Sequence, residues 1–138
     1  MPVTILLAAN PLPLALVTCL DDLGYEVKTV EDGREAVASL RRQTPDLLIL
    51  DADTFMASGL GTCDRLRCLL EHHDLPVVMT STLSDFREWS AAQLMNAKVT
   101  LHNPMAGEVA AVVEGLLGSV QVRTVQEVED ARLWRTAS

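Results

Sequence analysis

Pro45-Asp46-Leu47-Leu48-Ile49-Leu50-Asp51 places four apolar residues in a row between a Pro-Asp entry and a lone acid. That is the pattern of a short strand buried on both faces. Strands of this kind belong to parallel sheets, where sites form in the crevice beyond the carboxyl ends of the strands. Asp51 stands at such an end, so it is either a site residue or the cap of the next loop.

Towards the N-terminus, Val3 to Ala8 reads as a first apolar strand, broken by Asn10-Pro11-Leu12-Pro13. Pro13 is tolerated in a first helical turn, where its missing N–H costs nothing. Leu12, Leu16, Cys19, Leu20 and Leu23 recur at helical spacing until Gly24, a helix stop. Tyr25 to Val30 alternates as a second strand, Asp32-Gly33 reads as a turn, and Ala36, Val37 and Leu40 mark a second helix ending before Pro45.

Towards the C-terminus, 52–58 reads as a loop, and Leu60, Cys63, Leu66 and Leu70 as a third helix. Val77 to Ser81 is a fourth strand. The spacing predicts a helix over 85–96, with Ser84 as its cap and Trp89 on one face, and a fifth strand over 98–102. Val109, Val112, Val113, Leu116 and Leu117 define a last helix ending near Gly118. Five strand–helix alternations with short connections predict a doubly wound, five-stranded parallel sheet: an α/β, flavodoxin-like (β/α)5 three-layer sandwich. Its switch point lies beside strands one and three, which puts Asp51 in the crevice.

Composition bounds the function. The chain has 138 residues and a formal charge of −8, one domain's worth. The acidic balance argues against a nucleic-acid surface, which needs clustered Lys and Arg. Cys19, Cys63 and Cys68 are too few and too irregularly spaced for a disulfide framework, so a reducing, cytoplasmic setting is expected. No signal peptide and no apolar run of membrane-spanning length is present. We expect a domain over 1–118 and an extension over 119–138. That extension reads as a strand through Val120 and Val122, or as a helix opened by Thr124-Val125-Gln126-Glu127. Leu133 and Trp134 mark it as a docking or dimerising element.

Several stretches together carry a family resemblance: Leu23-Gly24-Tyr25-Glu26-Val27, Glu31-Asp32-Gly33-Arg34-Glu35-Ala36, Pro45 to Asp51, Gly59-Leu60, Leu75-Pro76-Val77-Val78 and Pro104. In order and spacing, residues 3–117 resemble the response-regulator receiver domain of two-component signalling. The resemblance implies that Asp51 matches the aspartate phosphorylated by a histidine kinase. It implies two acids after strand one that hold magnesium with that aspartate and a carbonyl two residues on. It further implies a Thr or Ser after strand four, a Lys before a Pro after strand five, and an aromatic switch residue in strand five.

The sequence departs from that pattern. Ala8, Ala9 and Asn10 occupy the acidic-pair region, and no Asp or Glu occurs before Asp21. Ser81 keeps the hydroxyl, Asn103 stands in the Lys position and Thr100 in the aromatic position. Asp51 and Asp53 are what remains for a metal, a poor set for an octahedral cation, so no cofactor is expected and magnesium is disfavoured. The losses balance in charge, and Ser81 and Asn103 are left to hydrogen-bond Asp51. We therefore expect a pseudo-receiver, a non-enzymatic signalling module acting through protein contacts. A phosphoacceptor regulator with an atypical site, and a small cofactor-binding enzyme, are the alternatives. The resemblance implies as partner a histidine kinase, a partner chain carrying the output, or a second copy of the chain; no output domain is expected after residue 118. Phe86 and Trp89 are interface candidates, because receivers commonly make contacts through the fourth helix, fifth strand and fifth helix. Cys68 and His72 share a helix face, but Cys63 is turned away from it, so Cys63, Cys68, His72 and His73 do not read as a metal cluster.

Overall fold

The computed structural model describes residues 2–82 and 96–121. The helix expected over 85–96, with Phe86 and Trp89, and the tail with Leu133 and Trp134 lie outside the described residues. Five strands, β1 (Thr4–Ala8), β2 (Glu26–Val30), β3 (Leu47–Asp51), β4 (Val77–Ser81) and β5 (Val99–His102), form one sheet in the order β2-β1-β3-β4-β5. Every pairing is parallel: Ile5 faces Val27 on one side and Leu47 on the other, Asp51 faces Thr80, and Val78 faces Val99. This is the doubly wound α/β fold read from the sequence, with β1 and β3 at the switch point.

The helices are α1 (Leu14–Asp22), α2 (Gly33–Arg42), α3 (Ala52–Ala57), α4 (Leu60–His73) and α5 (Ala106–Gln121). Successive strand residues point to opposite faces, so the sheet sorts its side chains into two layers. Ile5, Leu7, Leu47, Ile49 and Val78 pack with Leu16 and Leu20 of α1 and Val109, Val113 and Leu117 of α5. Leu6, Leu48, Leu50, Val77 and Met79 pack with Val37 and Leu40 of α2, Phe55 of α3 and Leu66 of α4. Both faces of β3 are therefore dry, and Leu47, Leu48, Ile49 and Leu50 are each fully buried, every such side chain contributing about 1.5–3 kcal/mol.

Three local readings are corrected. Asp32-Gly33 is no free turn: Asp32 is the N-cap of α2, accepting from the Glu35 N–H at 2.8 Å, and Gly33 is its first residue. The Glu35 carboxylate in turn accepts from the Glu31 N–H at 2.6 Å, so the helix start is closed from both sides. Residues 52–57 are helical, not a loop. The last helix runs on through Gly118 to Gln121, so the strand proposed from Val120 does not begin there. Gly118 does not stop it because a glycine ends a helix by taking positive φ, as Gly24 does at +92°.

Candidate functional site

β3 is central, so Asp51 emerges at the carboxyl edge of the sheet, half-buried, with β1 on one side and β4 on the other. Both roles open to it in the sequence meet in one carboxylate. It is the N-cap of α3: its Oδ2 accepts from the Thr54 N–H at 3.1 Å and from the Thr54 hydroxyl at 3.1 Å. It also lines a cleft at this edge of the sheet, a space of about 340 Å3. Its other oxygen, Oδ1, accepts from the Thr80 hydroxyl at a longer 3.3 Å.

Thr54 does more than fill a cap. Its hydroxyl donates to Asp51 and accepts from the backbone N–H of Asn10 at 3.0 Å. The segment after β1 is thereby tied to the site through one oxygen. Ala8 and Ala9, where the resemblance implies acids, are buried, Ala8 in the layer with α2 and Ala9 in the layer with α1. Asn10 contributes its backbone N–H to Thr54 and also lines the cleft.

Ser81 and Asn103 both line the cleft, and the bond that joins them is between backbones, Asn103 N–H to the Ser81 carbonyl at 2.7 Å. Asn103 adopts φ +45°, a left-handed conformation in which Asn is favoured over other residues with a side chain. Thr100 stands apart: it is exposed on β5 and does not line the cleft. The donors the structure gives Asp51 are Thr54 and Thr80, neither singled out from the sequence. Asp53, one turn into the cleft's rim, accepts from the Thr82 hydroxyl at 2.6 Å. The signal for Thr54 was present as an acid followed by a hydroxyl three residues on, the spacing of a capped helix start. The signal for Thr80 needed the strand register.

Asp51 and Asp53 are the ionisable side chains among the described residues lining the cleft, and none of those residues is a Lys, Arg or His. Among the described residues, no group of three His, Cys, Asp or Glu is placed to hold a metal ion. Cys63 is used internally: its thiol donates to the Phe55 carbonyl at 3.5 Å, and burial, aided by the neighbouring Asp64 charge, pushes its pKa up. Cys68 is exposed on α4. No helix among the described residues is long and apolar enough to cross a membrane.

Comparison with known proteins agrees with this geometry. Residues 12–109 match the family "Response regulator receiver domain". The "Probable transcriptional regulator ycf27" of Porphyridium aerugineum is 37% identical over 70 residues, covering 51% of this chain and 28% of that protein. The protein of the same name from Cyanidium caldarium is 27% identical over 132 residues, covering 94% of this chain and 52% of that one. The chain thus spans about half or less of the length of these curated relatives. A putative response regulator from Chloroflexus aurantiacus superposes with a TM-score of 0.70 at 27% identity, covering 86% of this chain and 99% of that one. With the parallel sheet, the acid at the end of β3 and the family match over most of its length, the chain belongs to the response regulator receiver domain family.

Proposed function

We propose that this chain is a receiver module of a two-component pathway that signals by protein–protein contact, without magnesium-dependent phosphorylation of Asp51. The observation that carries this reading is the occupation of Asp51. Its Oδ2 caps α3 with two hydrogen bonds, and among the described residues the cleft around it has no cationic side chain. A phosphoryl group brings about −1.5 to −2 of charge. Here it would lie in a cleft shared with the Asp53 carboxylate, with no Lys, Arg or His among the described lining residues to offset it. Phosphoryl transfer depends on positioned cations to neutralise those oxygens.

The donor set does not fit magnesium, the ion the family implies. That ion takes hard oxygens in near-octahedral order, with carboxylates prominent. At the end of β1 this chain offers two buried alanines, and the Asp53 carboxylate is engaged with Thr82. Partners follow from the family: a histidine kinase or a chain carrying the output, with this module contributing a surface. Dimerisation through the tail belongs to the same reading, as does a cytoplasmic setting.

A second reading, phosphorylation of Asp51 by a histidine kinase, is favoured by one observation. Among the described residues Oδ1 takes a single bond of 3.3 Å, which leaves it lone-pair capacity towards them. Amide NMR of labelled protein, titrated with magnesium and then with beryllofluoride, separates the two. We expect the signals of Asp51, Ser81 and Asn103 to stay in place. Saturating shifts clustered on those residues would establish the phosphoacceptor instead.

A further inference from the structure

Away from Asp51, the adjoining sides of α2 and α4 enclose a second hollow of about 530 Å3. Three arginines line it, Arg34 and Arg41 from α2 and Arg65 from α4, together with Ala38, Gly61 and Thr62. Arg34, Ala38 and Arg41 recur at the four- and three-residue steps of one helical face, and Gly61 and Arg65 do the same across the hollow. A Cβ built on Gly61 meets nothing within 4 Å, so the space beside it is open.

The charge of this hollow runs against the rest of the molecule. The chain carries −8 overall, yet among the described residues no acidic side chain lines this surface. Arg67, also on α4, is paired twice, with Asp64 at 3.7 Å and Glu71 at 2.9 Å. Arg34, Arg41 and Arg65 have no carboxylate within ion-pair reach among the described residues, although acids are abundant in the chain. All three are exposed. Ser58, which also borders the hollow, has its hydroxyl committed, accepting from the Gly33 N–H and donating to the Thr54 carbonyl. What faces a ligand is therefore a set of guanidinium donors beside the Thr62 hydroxyl, with no carboxylate among the described lining residues, the chemistry that recognises carboxylates.

Spacing selects the kind of anion. Arg34 and Arg41 are two helical turns apart, about 10.5 Å along the axis. Both side chains reach one compact anion only by folding towards each other along the helix. Two carboxylates seven residues apart on one face of a peptide helix match that length. We propose that the hollow between α2 and α4 is a docking groove for an acidic helical segment of a partner protein, its carboxylates two turns, about 10.5 Å, apart. This surface does not include Asp51, and the proposal holds whether or not that residue is phosphorylated.

The test is an amide and guanidinium NMR titration of the full chain at low salt. The probe is a blocked, alanine-rich helical peptide with two glutamates seven residues apart; inorganic phosphate and anionic phospholipid vesicles are run in parallel. The expected result is saturating shifts confined to 34–41 and 58–65. The paired variants R41E and R65E should weaken binding about tenfold or more, and R67E, which alters a paired arginine on the same helix, should leave it unchanged. R41Q and R65Q serve the same purpose if a reversal of charge lowers thermal stability. Three results overturn the proposal: shifts that map elsewhere, affinity that ignores Arg41 and Arg65, or phosphate or vesicles saturating these residues more tightly than the peptide.

Discussion

Replacing Asp51 by alanine removes the N-cap of α3 along with the candidate site. The expected cost is about 1 kcal/mol, read as a shift in the urea unfolding midpoint, whereas Asp51→Asn keeps a capping oxygen and should cost a few tenths. The position of Asp51 was legible because an apolar run ending in an acid has few other meanings. Its partners were less so. Thr54 serves it only because residues 52–57 coil into a helix, and Thr80 only because β3 and β4 pair with Asp51 opposite Thr80. At the same scale, the single tyrosine of the chain, Tyr25, is buried and donates to Glu114 at 2.6 Å. Burial first, then that bond and the carboxylate's charge, push its pKa up to about 12. The native state thus holds the phenolic proton more tightly than the unfolded chain does. Stability should be unaffected by this group below about pH 10 and should fall as pH rises from there towards 12. Phenolate absorbance with a midpoint near 10 in the folded protein would contradict this.

Between elements, the glycines give a sharp comparison. A Cβ on Gly33 would lie 2.6 Å from the Ser58 hydroxyl oxygen and 2.8 Å from a Thr62 methyl. Gly33→Ala should therefore destabilise by about 1–3 kcal/mol, while Gly61→Ala, in open space, should be neutral or add up to about 1 kcal/mol; chemical denaturation of the pair checks both. The tight approach at Gly33 sets how close α2 lies to the start of α4, and hence the width of the arginine-lined hollow. Elements of ordinary length were legible from their spacing. The six-residue α3 was not, because Ala52 and Phe55 alone are too few to display a helical period. The end of α5 was misplaced for a different reason: identity marks a glycine, but only φ decides whether it stops a helix, and φ is not written in the sequence.

Across the whole molecule, the sheet divides one core into two. Ile49 belongs to the layer under α1 and α5, and its neighbour Leu50 to the layer under α2, α3 and α4. Both are completely buried. Ile49→Ala and Leu50→Ala should each cost about 2–5 kcal/mol, and combined unfolding data should show neither layer to be dispensable. Fold class was legible at this scale because the two-sided burial of β3 leaves a signature that one-sided strands lack. The arginine hollow was not, since it needs two helices brought together by a topology no short window contains.

The register of the sheet also has a consequence in time. No strand pairs with a neighbour across a tight turn: Ile5 must find Leu47, and Leu48 must find Val77. Each pairing must close a long loop before any contact rewards it. The β1–β3 pairing spans the farthest-separated partners, and it runs up to Leu50, the residue before Asp51. The slow event in refolding and the assembly of the cleft should therefore be one event, so the capacity to present Asp51 would arrive late and all at once.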